Sequence, residues 1–149
     1  MTGIRSMEER DICAIETLIN QLAEDLGETF SLDQKQYEAH YHAMKQYPDI
    51  YQNYVYCIDD VVVGFLSLLL YRSFFHKKGT ALINEVIVRK EYRGQSIGKD
   101  LVAHAMAEAQ KQGMDEIEVG VMKENTRALS FYRRNGFDEE YLLLGKEYS

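Results

Sequence analysis

The sequence predicts an α/β fold in which a mixed sheet carries helices on its faces. Apolar residues recur at helical spacing early in the chain, and the central segment Val61–Tyr71 is apolar on both faces, as a covered strand requires. The second half alternates between strand and helix patterns, which is typical of such a layered sheet. The chain has 149 residues, 46% of them hydrophobic, and no linker, so we expect one domain, residues 1–149.

The first elements are a short strand and two helices. Residues Ile4–Met7 are the candidate strand. Over Glu8–Leu26 apolar side chains recur every three or four residues, which predicts a helix that Gly27 ends. Leu32–Tyr47 predicts a second helix, closed by Pro48 because proline cannot continue it.

A β-hairpin and another strand follow. Tyr54–Ile58 is rich in β-forming residues, and Asp59-Asp60 suits a tight turn, although the usual glycine is missing. Val61–Tyr71 is the returning strand. After the polar loop Arg72–Gly79, the β-branched and apolar segment Thr80–Val88 predicts the next strand.

The last elements alternate between helix and strand. Gly98–Gln112 presents one apolar face and predicts a helix. Glu116–Met122 alternates charged and apolar residues, as a strand does. A helix is expected over Asn125–Asn135, where asparagine is a favoured N-cap, and Tyr141–Tyr148 is expected to be the final strand.

Charge narrows the classes of function. The net charge of −7 argues against nucleic acid as a partner, because phosphate backbones need basic patches. It suits either a cationic substrate or simple solubility. Glu24, Asp25 and Glu28 form an acidic cluster, which is either an attractor for a cationic small molecule or a solvated helix end.

The remaining features favour a cytoplasmic protein without a membrane segment or a metal. Cys13 and Cys57 belong to no C-x-x-C pair, and free thiols fit a reducing compartment. The longest apolar run, Val61–Tyr71, is shorter than the roughly 20 residues that cross a bilayer. The histidines show no metal-ligand spacing with acidic neighbours, so we expect no metal site.

Two segments carry the chemical signal. The first, Val86–Lys99, has the pattern of a strand, a turn with Gly94 and Gly98, and a helix N-terminus. Exposed backbone N–H groups and the helix dipole make such a place an anion site, to which Arg93 and Lys99 add positive charge. The glycine spacing matches neither a nucleoside-triphosphate loop nor a dinucleotide fingerprint. An ordinary helix start after a glycine-containing turn is the alternative.

The second segment, Asn125–Phe137, has the form N-x-x-A-x-x-F-Y-x-x-x-G-F, which alone would be an ordinary capped amphipathic helix. Together the two segments resemble the GNAT acetyltransferase superfamily, whose acetyl-CoA loop has the form Gln/Arg-x-x-Gly-x-Gly/Ala. Arg93 fits the first position and Gly98 the last, whereas Ser96 replaces the middle glycine. Because serine is small, we expect it to preserve the turn without a positive φ. The order of elements also matches, so the resemblance covers essentially the whole chain.

The resemblance implies a fold and a co-substrate. The sheet is expected to be mostly antiparallel and splayed between its fourth and fifth strands, with acetyl-CoA bound in the gap and at the following loop. A bulge beside such a gap frees backbone groups for a ligand. By this resemblance the residues that bind acetyl-CoA are Val86, Ile87, Val88, Arg93, Gly94, Gln95, Ser96, Ile97, Gly98, Lys99 and Asn125.

The resemblance also implies catalytic residues. Tyr132 is expected near the thioester sulfur, where a tyrosine that is protonated at neutral pH can donate to the departing thiolate. Glu85 is expected to act as the base through a water, with Glu118 as the alternative. The thioester carbonyl is expected to accept from the N–H of Val88 or a neighbour. Neither motif contains a cysteine, which favours direct transfer in a ternary complex.

The expected acceptor is a primary amine, selected mainly by the first two helices, their loop and the loop Arg72–Gly79. A small cationic amine is the first choice. A protein N-terminus or lysine side chain is the alternative substrate, and a CoA-binding module without turnover is the alternative from another class. A homodimer through the final strand and the tyrosine-rich surface is compatible with the sequence.

Overall fold

The computed structural model describes residues 1–28 and 32–149. Residues 29–31, in the loop between the first two helices that the sequence assigns to the acceptor, lie outside the described part. None of the helices in the described part is long and apolar enough to cross a bilayer. The elements in chain order are β1 (Gly3–Ser6), α1 (Ile12–Asp25), α2 (Gln34–Lys45), β2 (Tyr51–Ile58), β3 (Val61–Tyr71), β4 (Thr80–Val88), α3 (Ile97–Lys111), β5 (Glu116–Val119) and α4 (Thr126–Arg134).

Within the described residues, five strands form a sheet in the order β1-β2-β3-β4-β5. Neighbouring strands from β1 to β4 are antiparallel, and β4 and β5 are parallel. The hairpin between β2 and β3 turns on Asp59 and Asp60, whose φ angles of 50° and 68° are left-handed. Aspartate tolerates this conformation better than most residues, so the tight turn forms without a glycine.

Helices cover both faces of the sheet and create two hydrophobic cores. On one face α1 packs Ile15 and Leu18 against Val55, Phe65 and Ile87 of the sheet. β3 contributes to both cores, as its two apolar faces predicted. The core on the other face, under α3, consists of Val63, Leu66, Leu68, Leu70, Ala81, Ile83, Ile97, Leu101, Val102, Ala105 and Ala109.

The pairing of β4 with β5 ends halfway along β4. The two strands are paired over Thr80–Ile83 and Glu116–Val119, and β4 continues to Val88 without β5 beside it. The pairing of β4 with β3 shifts register at Asn84, which forms a β-bulge where β5 leaves. The sheet is therefore mostly antiparallel and splayed between its fourth and fifth strands, with helices on both faces, as predicted.

The prediction of a final strand over Tyr141–Tyr148 is wrong, because this described segment contains no strand. Leu142, Leu143 and Leu144 are each about nine-tenths exposed, so the apolar pattern that predicted a strand reflects no burial here. The segment contacts β5 through side chains rather than through backbone pairing. The Tyr141 hydroxyl lies 3.4 Å from the Glu116 carboxylate of β5. A short neighbour such as β5 offers few backbone groups for another strand to pair with.

Candidate active site

The gap between β4 and β5 exposes backbone groups of β4. The N–H of Arg89 donates to the Val63 carbonyl of β3 at 2.8 Å, and backbone groups alternate in direction along an antiparallel ladder. The N–H and C=O groups of Val86 and Val88 therefore point toward the gap, whereas those of Ile87 point toward β3. Val86 and Val88 are thus the residues placed to pair with an extended ligand.

The loop from β4 to α3 presents consecutive unpaired backbone donors, here called the donor row. The first intrahelical bond of α3 is made by Asp100, whose N–H donates to the Ser96 carbonyl at 2.9 Å. Such donors at a helix N-terminus bind anions, because unpaired N–H groups and the helix dipole both favour negative charge. The backbone N–H groups that donate to no acceptor among the described residues are those of Gly94, Gln95, Ser96, Ile97, Gly98 and Lys99.

Ser96 holds the turn in a strained conformation. Its φ of 67° and ψ of 12° are left-handed, so the expectation that the turn forms without a positive φ is wrong. This conformation costs a residue with a side chain about 1–2 kcal/mol, and the Ser96 hydroxyl makes no capping bond that would offset it. Gly94, with a φ of 84°, adopts the same region without that cost.

Arg93 is anchored to the rest of the fold. Its guanidinium donates to the Val88 carbonyl at 3.2 Å and to the Asp25 carboxylate, at the end of α1, at 2.9 Å. Asp25, a member of the predicted acidic cluster, is therefore engaged by this ion pair. Arg93 ties β4, α1 and the loop together, while Lys99 is exposed in the first turn of α3 and adds positive charge beside the donor row.

The two sequence motifs meet at Gly98. A side-chain carbon at this position would lie 3.7 Å from Phe131 of α4 and 3.7 Å from Val88 of β4. The start of α3 therefore packs closely against both α4 and the β4 edge. Asn125 begins α4 as its N-cap, since its side-chain oxygen accepts from the Ala128 N–H at 3.1 Å. The amide N–H groups of Asn125 stay available to a ligand.

Tyr132 is half-buried on α4 and held by aromatic neighbours. Its ring centroid lies 5.1 Å from that of Phe131 and 5.5 Å from that of Phe137, both in edge-to-face geometry. Burial raises the pKa of the Tyr132 hydroxyl above its usual value, because the charged form is poorly solvated there. The hydroxyl therefore carries its proton at neutral pH and can donate it.

A cavity of about 290 Å³ lies between α1, α2 and the sheet. Most of its wall is apolar, and its polar lining includes Asn53, Ser67 and Glu85. The apolar side chains that line it include Ile12, Ile15 and Ile19 of α1, Tyr37 and Met44 of α2, and Phe65 of β3.

Glu85 brings a carboxylate to this cavity. Side chains alternate along β4, so Glu85 shares the α1 face with Ile87, whereas Val86 and Val88 point toward α3. Burial raises the pKa of Glu85, and a hydrogen bond with the Ser67 side chain offsets part of that rise. A carboxylate with a raised pKa accepts a proton more readily near neutral pH, which suits a general base.

The hydroxyl of Tyr37 is buried in the cavity wall and has no hydrogen-bond partner among the described residues. The side chain is 7% exposed. Burial first, then the charges of Glu16 and Glu85, raise the pKa of Tyr37, so the hydroxyl is neutral. An unsatisfied buried hydroxyl costs free energy, and because this oxygen is inaccessible to solvent, a ligand in the cavity does not reach it.

Glu118, the alternative base in the sequence prediction, lies away from the cavity lining. It pairs with Leu82 across the β4–β5 ladder, and its carboxylate accepts from the Tyr71 hydroxyl of β3. This bond to Glu118 raises the pKa of Tyr71. Of the two candidate carboxylates, Glu85 is therefore the one that adjoins the cavity.

Sequence reasoning missed the cavity and the place of Tyr37 in its wall. The walls come from residues such as Ile12, Tyr37, Phe65 and Glu85, which lie far apart in the chain. No spacing in the sequence connects them, and Tyr37 is one of 11 tyrosines. The available signal was limited to the expectation that the first two helices select the acceptor.

Comparison with known proteins finds similarity over most of the chain. Residues 16–137 match the Acetyltransferase (GNAT) family, a range that contains Glu85, the donor row and the Asn125–Phe137 motif. The chain is 28% identical over 154 aligned residues to an uncharacterized N-acetyltransferase of Methanocaldococcus jannaschii, covering 94% of this chain and 68% of that protein.

Two further comparisons bear on the family and the fold. Over 85 residues the chain is 32% identical to the aminoalkylphosphonate N-acetyltransferase of Salmonella typhimurium, covering 57% of this chain and 55%, about half, of that protein. The crystal structure of glucosamine-6-phosphate N-acetyltransferase from Arabidopsis thaliana matches with a TM-score of 0.79 at 19% identity, covering 100% of this chain and 99% of that one. At that identity the match shows the shared fold.

Proposed function

The chain belongs to the acetyltransferase (GNAT) family, and on that premise we propose that it transfers an acetyl group from acetyl-CoA directly to the primary amine of a small molecule. The observation that carries this proposal is the splay of β4 from β5. It leaves the backbone groups of Val86 and the N–H of Val88 free beside the donor row, with Glu85 in the cavity on the other face.

The residues around the gap fit acetyl-CoA, which supplies the acetyl group as an activated thioester. The donor row from Gly94 to Lys99 binds the diphosphate, and the Lys99 ammonium adds charge. Val86 offers its backbone N–H and C=O groups to the amides of the pantetheine arm, as an added strand would. Asn125 donates its amide N–H groups to the same arm.

Glu85 is the proton acceptor and Tyr132 the proton donor in this reaction. Glu85 takes a proton from the amine through a water, so that the nitrogen lone pair can form the C–N bond. The Val88 N–H stabilises negative charge on the carbonyl oxygen. As the C–S bond breaks, the Tyr132 hydroxyl gives its proton to the sulfur, and Tyr132 is then reprotonated from solvent.

A small amine fits this cavity better than a protein chain does. At about 290 Å³ the cavity is near the lower end of small-molecule sites, and it lies between two helices and the sheet. The Salmonella relative is named for aminoalkylphosphonates, which are small amines. That likeness supports a small-molecule acceptor for this chain.

A thermal-unfolding titration with acetyl-CoA, CoA and ATP tests the co-substrate. A ligand at 100 times its Kd adds about 2.7 kcal/mol to the free energy of unfolding, so acetyl-CoA and CoA should raise Tm while ATP should not. A panel of primary amines then tests turnover, with the released thiol as readout. The absence of any Tm shift with either CoA species would overturn the proposed function.

A further inference from the structure

We propose that the acceptor is a primary monoamine with an apolar body, such as an arylalkylamine, and that polyamines and aminoglycosides are poor substrates. This inference rests on the proposed function, because it concerns the amine that reacts beside Glu85. The charge and the walls of the cavity support it.

The cavity offers one ammonium group a partner, and no second one. Among the described residues that line it, Glu85 is the sole carboxylate. A second ammonium inside the cavity would be buried without an anionic partner, which is costly. The acidic cluster that could attract a polyamine is not part of the described lining, and its Asp25 is paired with Arg93 at 2.9 Å.

The walls suit an apolar body. Ile15 and Phe65 are 3% and 6% exposed, and both present hydrocarbon to the cavity. Met44 adds an adaptable side chain from α2, which tolerates ligands of different shape. A ring or short alkyl chain would gain burial against these walls, whereas the hydroxyls of an aminoglycoside would lose water there.

The test compares four amines at saturating acetyl-CoA, with the released thiol as readout: phenethylamine, tyramine, 1,4-diaminobutane and kanamycin. We expect kcat/KM for phenethylamine and tyramine to exceed that for the other two by about tenfold or more.

A variant at a partly exposed position of the wall tests the charge argument. Met44→Glu places another carboxylate in the wall, and the ratio of kcat/KM for 1,4-diaminobutane over phenethylamine should rise. An unchanged ratio would count against the assignment of monoamine selectivity to the single carboxylate.

The outcomes separate this inference from the proposed function. Turnover of 1,4-diaminobutane or kanamycin above that of the two aryl amines would overturn the inference and leave the proposed function standing. A Tm shift with CoA but no thiol release and no further Tm shift with either aryl amine would also overturn the inference. No Tm shift with acetyl-CoA or CoA would instead overturn the proposed function.

Discussion

The donor row and the cavity are built from different parts of the polypeptide. The row consists of backbone N–H groups from consecutive residues, Gly94–Lys99, so its shape depends on the turn that presents them. The cavity is lined by side chains from α1, α2, β2, β3 and β4, which the fold brings together. Binding of acetyl-CoA should therefore depend on backbone conformation and charge, whereas rate and choice of amine should depend on the identity of individual side chains.

The largest effect is expected at Tyr132 of α4, which packs on the face of the sheet that α3 covers. Tyr132→Phe removes the proton donor and keeps the ring contacts with Phe131 and Phe137, so kcat should fall about a hundredfold while KM for acetyl-CoA stays unchanged. Thiol release under steady-state conditions measures both constants. Tyr141→Phe, in the exposed C-terminal segment, is the control that should keep its rate. A Tyr132→Phe rate within twofold of the parent would remove the proton-donor assignment.

The next largest effect is expected at Glu85. Its substitution tests whether the rate depends on an individual side chain in the cavity. Glu85→Gln should lower kcat/KM by about tenfold to a hundredfold, because the proton acceptor is lost. In the parent, kcat/KM should rise with pH through a pKa above the usual value for glutamate, since burial raises it. Glu118→Gln is the matched control, because Glu118 accepts from Tyr71 away from the cavity lining. Equal losses in the two variants would contradict the choice of Glu85.

The same substitution should stabilise the protein at neutral pH. Because the folded-state pKa of Glu85 is raised, its contribution to stability is present below the unfolded-state pKa and is lost as pH rises through the folded-state pKa. Glutamine carries no charge and avoids that loss. Urea unfolding at pH 4 and pH 7 should therefore show that Glu85→Gln raises the free energy of unfolding relative to the parent, and that the increase is larger at pH 7. A gain that is smaller at pH 7 would mean that the carboxylate is better solvated than its burial indicates.

A smaller effect is expected from removing one charge beside the donor row. Lys99→Ala should raise KM for acetyl-CoA roughly fivefold and leave kcat unchanged, because an exposed ionic contact contributes about 1 kcal/mol and the N–H groups remain. Lys111→Ala, in the last turn of the same helix, is the control for overall charge. A change in kcat rather than KM would mean that the row does more than hold the co-substrate.

The smallest effect is expected at Ser96, where only the backbone strain of the row changes. Ser96→Gly should raise the free energy of unfolding by about 0.5–1 kcal/mol, since relief of the left-handed strain exceeds the entropy cost of glycine. Ser130→Gly, at an exposed position inside α4, is the matched control and should destabilise by about 0.5–1 kcal/mol. Denaturant titrations measure both. Destabilisation by Ser96→Gly would contradict the strain argument.

Much of the fold could be predicted because local pattern and tertiary burial agree. Val61–Tyr71 and Thr80–Val88 form strands with the predicted bounds, since each is apolar over its whole length. α1 begins after its predicted start at Glu8, because a bidentate bond between Arg5 and Asp11, at 2.8 and 2.9 Å, holds a short 3₁₀ turn there. The predicted final strand is wrong for a different reason. An apolar run shows that a segment could be buried, but it does not show whether a neighbouring strand is there to pair with it.

The site was predictable to the extent that it is local. The donor row follows from residues adjacent in the sequence, so glycine spacing and charge were enough to place it. The φ of Ser96 could not be predicted, because residue size does not fix a backbone angle. The cavity depends on the packing of α1 and α2 on the sheet, and that packing is what brings Tyr37 near Glu85.

The ion pair between Arg93 and Asp25 makes α1 common to both regions. One end of this helix holds the loop that carries the donor row, and Ile12 and Ile15, near the other end, line the cavity. If acetyl-CoA binds the conformation with this pair intact more tightly, it changes the affinity for the amine through the same helix, and the amine changes the affinity for acetyl-CoA by an equal factor. We therefore expect the coupling between the affinities for the two substrates to be a property of α1 rather than of either site alone.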